Sequence, residues 1–421
     1  MKQMAATVLA ALMVAGCSTP GSGVDEGDQG GATVVLDSDV DYEQSGLADA
    51  PAFEGVRDAC TGMGLSALAW DDDNVVFSPL SLCMALGMLA GGSTNDARSE
   101  LESLFGAPIE DVQVALNALA GELRAFEVDP ATVDEDDLPD SPAVHRATNV
   151  VVRPDLPVEQ DYLDSLSRYF DSTMEQADLS SEDSKAVLDE WIHAHTGGRI
   201  EESAIQPNPD LVLVLQDALL FAAAWQWPFN PPFETFAFHN EDGSTAEVPR
   251  VGHLREMLHA EAGGFEAAQV PFTSHFSATF ILPPASGGEL TSEIRTELLE
   301  GLQPRMVQFS FPRFHLAGKT ELLPLLGAFG IDSLTQPDSR PLDGIADVGP
   351  PLFLGQAAQQ AVIDVGEAGA VAAAVTELGV EAVSAPMVEV TLVLNRPFYL
   401  LITHDETTTD LFQTAVRNLD G

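Results

Sequence analysis

The sequence predicts an α+β fold, and three observations carry the prediction. Helical periodicity fills the first half of the chain, short apolar runs of strand length fill the second, and no internal repeat divides it into modules. At 421 residues and 45% hydrophobic content, the chain can bury a large core, either as two or three ordinary domains or as one large one.

The elements follow in order. Phe53, Val56, Cys60, Met63 and Ala67 recur at helical spacing and predict a first amphipathic helix. Asn74 to Phe77 is a short strand. It runs into Ser78-Pro79, an N-cap with proline at the first helical position, and a helix to Ala90 closed by Gly91-Gly92. That helix is apolar nearly all round, which marks a buried central helix, because it is too short to cross a bilayer. Helices are expected near Asp96 to Phe105 and Ile109 to Phe126, and an acidic, proline-containing surface loop from Glu127 to Pro142. A strand from His145 to Arg153 and helices from Val158 to Tyr169 and Lys185 to Thr196 come next. The run Leu211 to Trp225 is too apolar for an edge strand and fits a central one. Shorter strands are expected at Ala278 to Leu282, Met306 to Phe311 and Ala361 to Val365.

The N-terminus carries Lys2 and an apolar run from Met4 to Ala15, a removable secretory signal by length. Val14-Ala15-Gly16-Cys17 resembles a bacterial lipobox, which implies lipidation at Cys17 and a membrane anchor in the cell envelope, periplasmic or at the cell surface. Residues 1–16 are therefore read as signal, 17–51 as a Gly-, Ser- and Asp-rich tether, and 52–421 as the folded domain. Cys60 and Cys83 could pair in an oxidising compartment. Their apolar helical surroundings favour free thiols behaving as small hydrophobes.

Charge excludes one class of function. With 66 Asp plus Glu against 18 Lys plus Arg and a formal net charge of -48, nucleic-acid binding is not expected, since phosphate contacts need cations. The surplus keeps the surface solvated. The sequence contains no Gly-x-Ser-x-Gly elbow and no His-Glu-x-x-His motif, and His193 and His195 point different ways on their helix. No catalytic residue, metal ligand or cofactor site is expected.

Several stretches resemble serpin signatures in that family's order over about 365 residues. They are Asn74-Val75-Val76-Phe77-Ser78-Pro79-Leu80-Ser81; Trp191-Ile192 with Thr196-Gly197-Gly198-Arg199-Ile200; and Asp217-Ala218-Leu219-Leu220-Phe221 with Trp225 and Phe229. Val270-Pro271-Phe272, Pro312-Arg313-Phe314 and Asn395-Arg396-Pro397-Phe398 complete the set. The resemblance implies a single domain with helices packed on a large central mixed sheet, further sheets, and an exposed reactive-centre loop near the C-terminus. It implies a monomeric inhibitor, not an enzyme, that is cut by its target protease and traps it as a covalent acyl-enzyme. Ser78, Ser81, Asp217, Trp225 and Gln359 fall in the region where the sheet opens. Serpins usually carry asparagine at the position of Asp217 and histidine at that of Gln359, so the expectation here is a substitute hydrogen bond from Gln359 to Asp217.

The segment Glu367 to Thr376 resembles the hinge of inhibitory serpins, with Glu367, Gly369, Ala370, Ala372 and Ala374 as its key positions. Alternate residues Ala370, Ala372, Ala374, Thr376, Leu378 and Val380 are uncharged, whereas Glu377 and Glu381 fall in the other set. That is the period of a half-buried strand. Family spacing from Glu367 places the scissile bond between Val383 and Ser384. No Lys or Arg occurs from Pro341 to Asn395, so the expected targets are elastase-, chymotrypsin- or subtilisin-like proteases. A papain-like cysteine protease and a Glu-specific enzyme are the other options. The helix from Ile109 to Phe126 has Arg124 as its one basic residue, so activation by heparin-like polymers is not expected. The competing readings are a hydrolase and a non-inhibitory serpin-fold binding protein.

Overall fold

Ser78 shows how local sequence sets the architecture. Its backbone is extended, its Oγ accepts from Ser81 N at 3.2 Å, and Pro79 opens the helix behind it. A strand is thereby converted into a buried helix within two residues.

The structure, a computed structural model, describes residues 34–69, 73–134, 137–180, 182–230, 232, 234–370 and 387–420. In chain order the first half contains β1 (Val34–Leu36), α1 (Phe53–Leu68), β2 (Val75–Phe77), α2 (Pro79–Gly91), α3 (Asn95–Phe105), α4 (Ile109–Leu123), β3 (Ala143–Val152), α5 (Gln160–Phe170), β4 (Met174–Gln176) and α6 (Glu182–His195). The second half contains β5 (Leu213–Ala224), β6 (Thr235–His239), β7 (Thr245–Ala262), β8 (Phe265–Pro271), β9 (Phe276–Leu282), α7 (Ser292–Glu300), β10 (Gln303–Pro312), β11 (Phe314–Glu321), α8 (Leu322–Ala328), β12 (Ala358–Val365), β13 (Gly369–Ala370), β14 (Val390–Val393), β15 (Phe398–His404) and β16 (Thr409–Val416). Helices first and strands second is the order the periodicity predicts.

Two sheets carry the body. One runs β1-β4-β3-β5-β13-β12-β11; the other runs β14-β10-β7-β8-β9-β15-β16-β2, with β6 paired to β7. Both are mixed, since β3 pairs parallel with β4 and β10 parallel with β14. The apolar helix α2 lies in the core between them: Leu80, Leu82, Cys83, Leu86 and Leu89 are all buried. One face of β5 joins this core through Phe221 and Ala223. The other face meets α6, where Gln216 Nε2 donates to the Leu188 carbonyl at 3.2 Å and Ala218 packs with Ile192. The strand is buried on both sides, which is why it reads as continuously apolar.

Two expectations fail here. Residues 34–50 are not a free tether: β1 adds to the edge of β4, Ser45 N donates to Asn117 Oδ1 at 2.6 Å, Glu43 N donates to the Arg168 carbonyl at 3.0 Å, and Leu36 and Leu47 pack on the core. The body Thr33–Gly421 therefore begins well before Ala52. Cys60 and Cys83 are joined as a disulfide, with Cα atoms 5.9 Å apart. Their helices α1 and α2 pack side by side and bring two buried sulfurs into reach, a tertiary fact that apolar neighbours in sequence do not reveal. Among the described residues, no helix is long and apolar enough to cross a membrane. Cys17 lies outside the described residues.

Candidate functional site

The long strands β5 and β12 are not laddered to one another among the described residues; β13 stands between them. Gly369 pairs with Ala224, Ala370 with Ala223 on one side, and Ala370 with Val365 on the other. All three contacts are antiparallel, so the chain leaves β12, turns through residues 366–368 and re-enters the sheet beside its own last residues. The turn is held from β5's end. Trp225 Nε1 donates to the Gly366 carbonyl at 2.8 Å, Trp225 N to the Ala368 carbonyl at 2.8 Å, and Phe229 N to the Glu367 carbonyl at 2.8 Å. The Trp225 ring is buried and stacks on Phe272 with centroids 4.4 Å apart. The strand ends one residue before it, and Trp225 makes an isolated bridge to Phe272.

Gly369 is required by space. A Cβ there would stand 2.0 Å from the Ala223 carbonyl oxygen, a backbone atom that has nowhere to go. Ala370 is buried in the core face, next to Ala223. Glu367 is buried, with Oε1 3.8 Å from Arg313 Nη1 and Oε2 without a hydrogen-bond partner. The structure thus brings Glu367, Gly369, Ala370 and Trp225 together at one end of the gap. Ala372, Ala374, Val383 and Ser384 lie outside the described residues.

Further along the gap sit the other sequence-selected groups. Gln359 Oε1 accepts from Ser78 N at 2.7 Å and its Nε2 donates to the Ser78 carbonyl at 2.9 Å, clasping the strand-to-helix entry with both ends of its amide. Its expected bond to Asp217 is absent: Asp217 Oδ2 instead accepts from Thr148 Oγ1 at 2.7 Å, and Oδ1 is sealed from solvent with no hydrogen-bond partner. The amide turns away because Ser78 offers a buried backbone N–H that needs an acceptor and a carbonyl that accepts from Leu82 N at 3.2 Å with a second lone pair still to share. Ser81, Asp217 and Gln359 line one cavity of about 50 Å³ beneath the sheet.

Burial pushes the Asp217 carboxyl up to about 6, against the opposing pull of the Ser81 and Thr148 hydroxyls and the Arg146 guanidinium. Arg146, itself drawn down by burial, is the counter-charge that sequence reading overlooked. A signal existed: a cation in an apolar strand of a chain with 18 Lys plus Arg. Thr148, two residues on, gives none; its role depends on the β3–β5 register that sets it opposite Asp217.

With this geometry in place, known proteins can be set beside the chain. The family model described as "Serpin (serine protease inhibitor)" matches residues 64–419. Plasminogen activator inhibitor 1 of Sus scrofa is 28% identical over 365 residues, 82% of this chain and 87% of that protein. Alpha-1-antitrypsin 1-1 of Mus musculus is 27% identical over 352 residues, 80% of this chain and 82% of that protein. The native-state crystal structure of the thermophilic serpin tengpin superposes with a TM-score of 0.79 at 22% identity, covering 91% of this chain and 98% of that one. Sequence order, sheet topology and family match agree: this chain belongs to the serpin family of serine protease inhibitors.

Proposed function

We propose that this protein is a suicide-substrate inhibitor of serine proteases with small or aliphatic specificity, cut between Val383 and Ser384, whose loop then inserts between β5 and β12. The observation that carries the reading is β13. Two residues of the hinge already occupy the sheet, and they set a register for those that follow.

Carried on in that register, Ala372 falls opposite Phe221 and Ile363, Ala374 opposite Leu219 and Ala361, and Thr376 opposite Asp217 and Gln359. Directly opposed residues share a face of a sheet. Ala370, Phe221, Ala223, Ala361 and Ile363 belong to the core cluster, so Ala372, Ala374, Thr376 and Leu378 would enter on the core side and Glu377 on the α6 side. The uncharged alternate set identified in the sequence is the set that this register turns inward. Thr376 would bring a hydroxyl, donor and acceptor at once, between Asp217 and Gln359.

In the proposed reaction, the protease's serine acylates at the Val383 carbonyl and the amine of Ser384 leaves. Insertion then moves the ester away before water reaches it. The absence of Lys and Arg from Pro341 to Asn395 leaves nothing for an acidic specificity pocket, whereas Val383 suits an apolar one. Lipidation at Cys17 would hold the inhibitor at a membrane surface, a reading supported by the Val14-Ala15-Gly16-Cys17 run alone.

The test is incubation with elastase-, chymotrypsin- and subtilisin-like proteases followed by denaturing gel electrophoresis. The expected product is a band of summed mass, with mass spectrometry placing the cut between Val383 and Ser384. Fragments with no covalent complex across the panel refute inhibition; a cut outside Glu381 to Met387 refutes the register.

A further inference from the structure

A cluster of ligating side chains far from the hinge in sequence is left without a role by this reading. The β7–β8 hairpin is closed by Gly263 and Gly264, both at positive φ, and its register sets Glu261 directly opposite Glu266. His259 precedes Glu261 by two residues, so all three side chains share one face of the ladder. His259 is 6% exposed, and its Nε2 lies 3.0 Å from Glu266 Oε1. One ligand atom from each of His259, Glu261 and Glu266 falls within 4.8 Å of the others.

Opposed like charges destabilise a ladder. Among the described residues, neither carboxylate is ion-paired to Lys or Arg. Arg396 acts on Glu266 electrostatically, but its guanidinium donates to the Pro283 carbonyl at 2.6 Å. The fold therefore holds two carboxylates and an imidazole together on one hairpin face without a cation bonded between them.

We propose that His259, Glu261 and Glu266 form a site for a divalent metal ion of the zinc class, bound by one imidazole nitrogen and two carboxylate oxygens. The mixed donor set separates this class from magnesium and calcium, which take oxygen ligands. Ligand atoms held about 2.1 Å from one ion lie roughly 3.0–3.5 Å apart, and the His259–Glu266 pair already stands at that spacing. Burial fixes the imidazole, and the exposed Glu261 turns to complete the set. The remaining coordination positions are open to water. Binding takes the place of the His259–Glu266 hydrogen bond and cross-links two paired strands of the folded body, so the metal stabilises the native state.

The experiment uses the folded protein, stripped with EDTA and titrated with Co²⁺ and Zn²⁺ in excess Mg²⁺, which occupies the chain's many diffuse carboxylates. One equivalent of Co²⁺ with visible absorption from mixed nitrogen and oxygen ligation, displaced by Zn²⁺, is expected. His259→Gln and Glu261→Gln should each weaken binding about tenfold or more. Glu261 is exposed, so Glu261→Gln tests the site even if the buried His259 variant folds poorly; melting in EDTA checks both folds. Binding no stronger than the Mg²⁺ background, or unchanged by Glu261→Gln, overturns the proposal.

Discussion

Asp217 makes the region under the sheet sensitive to acid in a way that can be computed and measured. Its carboxyl titrates near 6 in the folded body against 3.8 as a free group, because burial opposes the charge more than Ser81, Thr148 and Arg146 favour it. Above about 6 the folded state holds a carboxylate it would prefer protonated, whereas the unfolded chain carries the same charge without cost. Stability from this group is therefore fully present below the free value and is lost as pH rises through the folded one. A gap of about two units corresponds to about 3 kcal/mol. Asp217→Asn does not titrate and shares every other acid in the chain, so the difference between the two proteins isolates the group from the background charge. The assay is urea unfolding of wild type and Asp217→Asn across pH 4–8. Relative to the variant, wild type should gain about 2.5 kcal/mol as pH falls from 8 to 4, with the steepest change around pH 5, between the free and folded values. A flat difference, or one in which wild type gains as pH rises, would refute a buried carboxyl at this position.

Three further outcomes follow from the same geometry. Ala374→Arg places a charge on the core face of the inserting strand, where an unpaired ion costs several kcal/mol; the covalent band on the gel should give way to cleavage fragments, and its persistence would overturn the inward register. Gln359→Ala removes the acceptor of the buried Ser78 N–H, at about 1–3 kcal/mol, while the Ser78 carbonyl keeps its bond from Leu82 N, and the urea midpoint should fall accordingly. Replacing Cys60 and Cys83 by serine opens a link between residues 23 apart in sequence, with an expected loss of about 3 kcal/mol from restored chain entropy; an unchanged midpoint would count against it.

The fold was legible where a short stretch decides its own structure. Ser78-Pro79 announces its helix, and the apolar run ending near Trp225 announces a strand buried on both sides. What depends on remote partners was not legible. The 18-residue strand β7 hides because Gly252, Arg250 and Arg255 interrupt its alternation; the strand crosses from one packing environment to another, and Arg255 reaches the Trp227 carbonyl at 2.7 Å. Residues 34–50 look like linker, yet they are bound by groups of α4 and α5 such as Asn117 and Arg168. Gln359 could be named from its position, but not its choice of Ser78 over Asp217, which turns on where two backbone groups lie. Arg146, Thr148 and the Cys60–Cys83 link are likewise products of register and helix packing.

The single pair of hinge residues that bridges β5 and β12 has a mechanical meaning. Along most of their length the β1-β4-β3-β5 group and the β12-β11 pair act as two leaves on a common spine. Among the described residues, β13 alone carries ladder bonds between them, and α6 joins Ala218 of one leaf and Val362 of the other in one apolar cluster. Pulling the leaves apart in a force experiment should therefore yield at low load, before either leaf unravels, and a bound metal at the distant hairpin should leave that threshold untouched.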